Sequence, residues 1–501
     1  MTLKRILNRL LFFWRLLIMD KTQLDNYIAD ATGRMLTRLK PWLSTVMVAI
    51  VATIAVALAS TSPSWAGQIG VRMSPATSQP GEKPAYIGKV IELVDEYSDE
   101  LIETFKDIHR HPELGFEEEQ TAAIVAAELE ELGYEVKKDI AETGVVGILE
   151  NGEGPTVMFR ADMDANAVEE ETDLDYASEV PGVMHACGHD AHTTWMLGLA
   201  KLMKDMESYW SGTLVLVAQP AEELIEGAQA MIDDGLYEPE DEGGYDVPVP
   251  QFLLAAHTAP GPTGYVANLP GTRMAGTNQF DVTFKGIGGH GSTPELAKDP
   301  IVMTAAAIME YQAIVSRAIS PLEAAVITVG SVQAGIDPNV IPETSLLRIN
   351  LRWFSEEVKD TMIAGIKRIN ESIAYAYGLR EDLFPEIEYG GESTPLVNDE
   401  ELVEKINPHL EELLGGEDWL ISDMPPSTGS EDVHLLKGDN DEIEVDFAFI
   451  GIADPALFEA AIAEGKSVPF ANHNPEFQVD LDAIPLGAKI VSVMTLATFN
   501  Q

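Results

Sequence analysis

Apolar residues recur at helical spacing between Tyr86 and His111, at Ile91, Leu93, Val94, Leu101, Ile102, Phe105 and Ile108, and the pattern stops at Pro112. A second helix is predicted over Thr121 to Leu132, closed by Gly133. The period then changes. Short apolar runs starting at Val145, Thr156, Thr213 and Phe252 read as strands, and helical patterns follow Asp190 and span Gly227 to Leu236. Such alternation predicts a layered α/β domain with a mostly parallel sheet. From 277 to 393 the order becomes strand, helix (Pro300 to Ile319), two strands, helix (Glu356 to Gly378) and strand, the β-α-β-β-α-β sequence of a ferredoxin-like α+β domain. The first domain therefore occupies 85–276, is interrupted by 277–393, and resumes over 394–501 with a strand at Asp446 to Gly451 and a helix from Ala483.

The start of the chain follows other rules. Val46 to Ala59 is an apolar run of fourteen residues behind Arg38 and Lys40, and Ser64-Trp65-Ala66 supplies small residues at the −3 and −1 positions of a cleavage site. Residues 1–66 thus read as a secretory leader, with Met35 offering an ordinary basic start, and 67–84 as a linker. An uncleaved N-terminal anchor is the alternative. The net charge is -50, and the first seventy residues hold eight of the lysines and arginines against three acids, so the remainder is more acidic still. Nucleic acid and anionic membranes are repelled by such a surface. Stable membrane insertion of the mature chain is not expected.

Candidate chemistry concentrates in Met184 to Thr194, which holds His185, Cys187, His189, Asp190 and His192; Cys187 is the only cysteine of the chain. Thiolate, imidazole and carboxylate are the donors that first-row metals select. A loop there could converge Cys187 and His189, which a helix would point to different sides. Three predicted strands end in further polar residues: Asp162 and Asp164, then Glu222 and Glu223, then His257. Open α/β sheets bind ligands outside the carboxyl ends of their strands, so these residues are expected on one rim.

Seven motifs, in order, carry a resemblance: HRHPELGFEE (109–118), RADMDA (160–165), GVMHACGHDAHT (182–193), QPAEE (219–223), GIGGHGSTP (286–294), GSEDV (429–433) and HNPEF (473–477). Together they resemble those of the M20 metallopeptidases, in the branch of N-acyl-amino-acid amidohydrolases that act on hippurate, indole-3-acetyl amino acids or aminobenzoyl-glutamate. The resemblance implies that Cys187, His189, Glu223, His257 and His473 hold two divalent ions, zinc or manganese, with cobalt or nickel as alternatives. It makes Glu222 the general base and His290 a donor to the oxyanion in the active site of a partner subunit, in a homodimer formed through the inserted domain. Asp162 and Asp164 would support the ligands from behind. Asn339 and Arg352, on the inserted domain, are candidate grips for a substrate carboxylate.

The implied activity is hydrolysis of the amide bond of a small N-acyl amino acid by activated water. A dipeptidase or carboxypeptidase with the same centre is the alternative, and a catalytically silent binding protein a third. Departures from the branch fall at GGHGS and at His434 after GSEDV, changes that could alter the acyl pocket without touching the metal chemistry. If the leader is read correctly, protein from the native host begins at Gly67. N-terminal sequencing decides this, and a retained Met1 or Met35 would refute it.

Overall fold

The chain is described by a computed structural model over residues 86–416 and 419–500. The leader at 1–66 and the linker at 67–84 lie outside these residues.

The first amphipathic pattern becomes α1 (Ile87–Arg110), whose buried stripe includes Val90, Leu93, Val94, Leu101, Phe105 and Ile108. It is followed by α2 (Glu119–Glu131) and the hairpin β1 (Glu135–Ile140) and β2 (Gly144–Asn151). Next come β3 (Thr156–Asp162), α3 (His189–Asp205), β4 (Gly212–Gln219), α4 (Gly227–Asp233) and β5 (Phe252–Pro262), then the short β6 (Val266–Ala267) and β7 (Gly271–Met274).

The inserted unit contains β8 (Gly276–Lys285), β9 (Gly289–His290), α5 (Pro300–Ala313), β10 (Ala325–Ala334), β11 (Val340–Ile341), β12 (Thr344–Trp353), α6 (Glu356–Ala376) and β13 (Glu386–Ser393). The chain returns through β14 (Leu396–Asn398), α7 (Glu400–Leu414), β15 (Glu444–Ala453), α8 (Pro455–Ala463) and α9 (Ala483–Phe499).

The main sheet has the order β1-β2-β4-β3-β5-β15-β6. Its four central strands β4, β3, β5 and β15 are parallel, but β1, β2 and β6 run antiparallel to their neighbours. The expected mostly parallel sheet is therefore a mixed one. Strands β1 and β2 are joined by a turn too short for a crossover, which can only pair strands antiparallel, whereas β2 and β6 run antiparallel to β4 and β15, neighbours that come from elsewhere in the chain.

Both faces of the central strands are covered. Along β4, Leu214, Leu216 and Ala218 enter one core while Val215 and Val217 enter the other, which is why this strand reads as a continuous apolar run. The first core is roofed by α1, α2, α3, α7 and α9. Helix α3 is buried nearly all round because it is sandwiched between the sheet and its neighbours. Its approach to α9 requires Gly487, where a Cβ would lie 2.1 Å from the Trp195 indole.

The inserted unit forms an antiparallel sheet of order β10-β12-β8-β13, with α5 and α6 packed on it through Phe284, Met303, Tyr311, Leu347 and Met362. The predicted helix to Ile319 ends as an α-helix at Ala313 and continues as one wider turn over Ile314–Ala318. Strand β10 lies at the edge of this sheet, with Val326 and Val332 exposed.

Candidate metal centre and active site

Three of the four parallel central strands contribute to one rim, as the sequence pattern implied. Strand β3 ends at Asp162, β4 leads into Glu222 and Glu223, and β5 carries His257. Helix α3 begins with His189 itself, preceded by Gly188 in the left-handed region at φ 91°. That glycine is required twice over, because a Cβ there would also lie 2.6 Å from Thr258 Cγ2. The kink turns Cys187 toward His257, Sγ to Nε2 3.5 Å. His473 reaches the same place from a left-handed backbone at φ 63°, fixed by its N–H donating to Ala186 O at 2.7 Å.

The donor atoms converge in overlapping groups, each within 4.8 Å: Cys187 with His189 and His257, Cys187 with Glu223 and His473, and His189 with Glu222 and Glu223. Ring orientation is set from behind. Asp164 Oδ1 accepts from His189 Nδ1 at 3.1 Å and its Oδ2 accepts from Glu223 N at 2.9 Å, so one carboxylate orients two donor residues. His257 Nδ1 donates to Thr258 O at 2.7 Å, which leaves Nε2 free to bind. His189 Nε2 is buried without a hydrogen-bond partner, and Glu223 Oε1 is buried facing only imidazole, with His473 Nε2 at 3.1 Å. Orphaned lone pairs aimed into a cluster of thiol, imidazole and carboxylate are what a divalent ion satisfies, and two triads sharing Cys187 provide for two ions.

Electrostatics agree with this. Burial pushes the Cys187 thiol up, but His257 and His189 outweigh it and bring the pKa to about 6. Glu223 is opposed by burial and nevertheless drops to about 2 beside His473 and His189. Glu222 goes the other way. Burial, with Glu431 and Glu223 adding like charge, raises it well above the usual carboxylate range. The two neighbouring glutamates are thus driven apart, although both lie near His189 Nε2, at 3.8 Å and 3.9 Å. An extended backbone would have separated them by alternation; instead Ala221 at φ 50° and Ile225 at φ 57° curl them into a turn.

Two more groupings, Asp162 with His189 and His192, and Glu222 with Glu431 and Asp432, are as compact, and Asp162, Glu431 and Asp432 among them share the guanidinium of Arg160. Arg160, buried on β3, places Nη1 2.7 Å from Asp162 Oδ2 and Nη2 2.8 Å from Glu431 Oε1 and 3.0 Å from Asp432 Oδ1. His192 has both nitrogens engaged: Nδ1 donates to Asp162 Oδ1 at 2.6 Å and Nε2 accepts from Thr258 N at 2.8 Å. Asp190 pairs with His109 at 2.6 Å, and His185 is buried with neither ring nitrogen hydrogen-bonded.

The sequence reading assigned no part to Arg160, Glu431 or Asp432. The available signal was an arginine inside an otherwise apolar strand, which must be buried and so must find acids.

A cavity of 320 Å³ is lined by Cys187, Glu222, Glu223, His257 and His473 and also by Arg352 of β12. Burial lowers the Arg352 pKa while Glu222 and Glu223 oppose this, and its Nη1 is buried without a partner. His290 and Asn339 are not among the residues lining this cavity. They sit on an exposed ribbon where β9 pairs with β11, and Asn339 O accepts from Gly291 N at 2.7 Å.

Comparison with known proteins agrees with this geometry. The model of peptidase family M20/M25/M40 matches residues 158–496. Over 410 residues the chain is 34% identical to IAA-amino acid hydrolase ILR1-like 4 of Arabidopsis thaliana, covering 80% of this chain and 86% of that protein. It is 37% identical over 320 residues to the hippurate hydrolase of Campylobacter jejuni, covering 64% and 80%. The crystal structure of the Bacillus subtilis YXEP protein, a dinuclear metal binding peptidase from the M20 family, is similar with a TM-score of 0.61 at 26% identity, covering 81% of this chain and 99% of that one. The chain belongs to peptidase family M20/M25/M40 and is a hydrolase of that family.

Proposed function

We propose that the protein hydrolyses the amide bond of N-acyl amino acids, with Cys187, His189, Glu223, His257 and His473 holding two divalent ions and Glu222 acting as general base. The observation that supports this reading best is that one cavity is lined both by the buried Glu222 and by Arg352, whose buried Nη1 has no hydrogen-bond partner. A substrate carboxylate supplies the anion Arg352 lacks, and the scissile amide then lies toward Glu222. Bound ions supply a lowered pKa for coordinated water and a polarised carbonyl. Glu222, with its raised pKa, takes the proton of the attacking water and returns it to the departing nitrogen.

The rest of the cavity favours acyl groups over free amino termini. Apart from the donor residues, Glu222 and Arg352, its lining is neutral and includes Ile225, Met274 and Phe449. Hippurate and N-acetyl amino acids are therefore expected to be cleaved with higher kcat/KM than dipeptides. A panel of these substrates, assayed with zinc, manganese and cobalt in turn, tests the reading, and a preference for dipeptides would overturn it.

Export, with removal of residues 1–66, belongs to the same proposal; among the described residues no helix is long and apolar enough to cross a membrane. So does a homodimer. The exposed edge of β10 and exposed Ile301, Val302 and Met309 on α5 support a second copy adding to this sheet. The exposed His290 would then donate to the oxyanion in the other copy's cavity.

The neighbouring glutamates give the most direct test of the chemistry. Glu222→Gln is expected to keep both ions while turnover falls by ~10²-fold or more, whereas Glu223→Gln loosens the metal itself. Mass-spectrometric metal analysis beside steady-state kinetics reads both. Near-normal turnover in Glu222→Gln would remove it as the base.

The role of His290 across subunits has its own measurement. His290→Ala and Glu222→Gln homodimers are each expected to be nearly inactive, while subunits of the two, mixed and exchanged, regain up to about a quarter of wild-type activity because one cavity in the heterodimer is whole. Failure to complement, in a mixture shown to have exchanged, would place the function of His290 within its own chain or nowhere.

A further inference from the structure

The segment HPELGFEE after α1 takes no part in the chemistry above, yet it lies directly behind the turn that carries Glu222 and Glu223. On one side it is stitched to the rim of β3: Ala165 N donates to Glu113 O at 2.7 Å, and Leu114 bridges to Ala165. On the other it presses on the turn itself. A Cβ on Gly115 would lie 3.0 Å from Ala221 Cα and 3.2 Å from Leu224 Cδ1, closer than most side chains tolerate.

Glu118 ends this segment and is fully buried. Its Oε1 accepts from Ala221 N at 2.8 Å, and its Oε2 accepts from Thr143 Oγ1 at 2.6 Å, from the turn between β1 and β2. A carboxylate taken wholly out of water is costly to keep, and the partners outside its own residue are the Ala221 N–H and the Thr143 hydroxyl.

The residue it holds is the strained one. Ala221 is left-handed at φ 50° although it has a Cβ, and β-branched Ile225 is left-handed at φ 57°. The turn closes on itself through Ile225 N to Glu222 O at 2.7 Å and Gly227 N to Ala221 O at 3.2 Å, and a Cβ on Gly227 would fall 1.6 Å from Pro220 O. The direction in which Glu222 and Glu223 leave the backbone is thus set one residue earlier, at Ala221.

We propose that Glu118 is a positioning residue for the hydrolysis: its buried carboxylate anchors the left-handed turn at Ala221 and so fixes the separate directions of Glu222 and Glu223. The inference rests on the reading of Glu222 as general base. Without the carboxylate, the buried Ala221 N–H loses its acceptor and the turn relaxes toward an ordinary backbone, swinging Glu222 away from the attacking water.

The test compares kcat, KM, metal content and thermal unfolding for Glu118→Ala, Glu118→Gln, Thr143→Val and the double variant Glu118→Ala/Ala221→Gly, with Glu222→Gln as reference. Glu118→Ala is expected to lower kcat by ~10- to 100-fold with KM changed by less than about threefold, since misplacement of a reacting group acts on turnover. Glu118→Gln should restore most of kcat, because its amide oxygen still accepts from Ala221 N. Adding Ala221→Gly to Glu118→Ala should recover turnover several-fold, because glycine adopts the left-handed region without help. A protein weakened only in general would show no such recovery.

Thr143→Val withdraws one partner of the carboxylate and should lower kcat less, again at nearly constant KM; it decides the matter if Glu118→Ala does not fold. Wild-type kcat in Glu118→Ala, or in Thr143→Val where only that variant folds, overturns the proposal, as does a loss that neither Gln nor the added glycine relieves. If Glu222→Gln itself keeps its turnover, the assignment of the base has failed. If Glu222→Gln is inactive while Glu118→Ala is not, the positioning role alone has failed.

Discussion

The guanidinium of Arg160 is the interaction on which the site depends. It is fully enclosed on β3, donates from Nε to Gln219 Oε1 at 2.8 Å, and meets Asp162, Glu431 and Asp432 within 3.0 Å. Removing a buried ion from water costs several kcal/mol, so neither the cation nor these three acids could be kept charged alone. Together they lock the end of β3, the end of β4 and the loop at Ser430 to Asp432. From Asp162 the chain of contacts continues through His192 to the backbone of Thr258 beside His257. The guanidinium thus ties the loop at Ser430 to Asp432 to the ends of two strands whose register the sheet already sets.

The same compensation sets the proton affinities around the donors. Against the cost of its burial, Asp162 is held well below the usual carboxylate range by His189, Arg160 and His192; burial first, and then the like charge of Glu431 and Glu223, raise Glu222, while Glu223, facing His473 and His189, falls. Metal ligands have to bind deprotonated, and a thiol brought to about 6 and a carboxylate at about 2 are prepared for that. Glu222, beside them, holds its proton more tightly than an ordinary carboxylate. The difference between two adjacent glutamates therefore lies in their surroundings.

The inserted sheet contributes by facing the rim rather than by adding donors. Arg352 reaches the cavity from β12 while the His290 ribbon stays exposed, so a single chain supplies one wall of its own site and leaves another part of the inserted domain facing outward.

Much of this was legible in the sequence. Periodicity located α1 and α2, the apolar runs located β3, β4 and β5, and the strand-end rule placed Asp162, Glu222, Glu223 and His257 on one rim, because side-chain period and burial are local properties of a chain. The direction of β2 and β6 was not legible, since pairing depends on which strand lies beside which. Nor were the partners of Arg160, of which Glu431 and Asp432 lie some 270 residues away in the chain, or the left-handed turn at Ala221, whose residues have no intrinsic preference for it. Sequence by itself determined which residues could bind metal and roughly where the strands would present them. Only the tertiary structure decided which carboxylates share an arginine, which face imidazoles and which stand beside like charge, because those fields arise between segments that share no sequence neighbourhood.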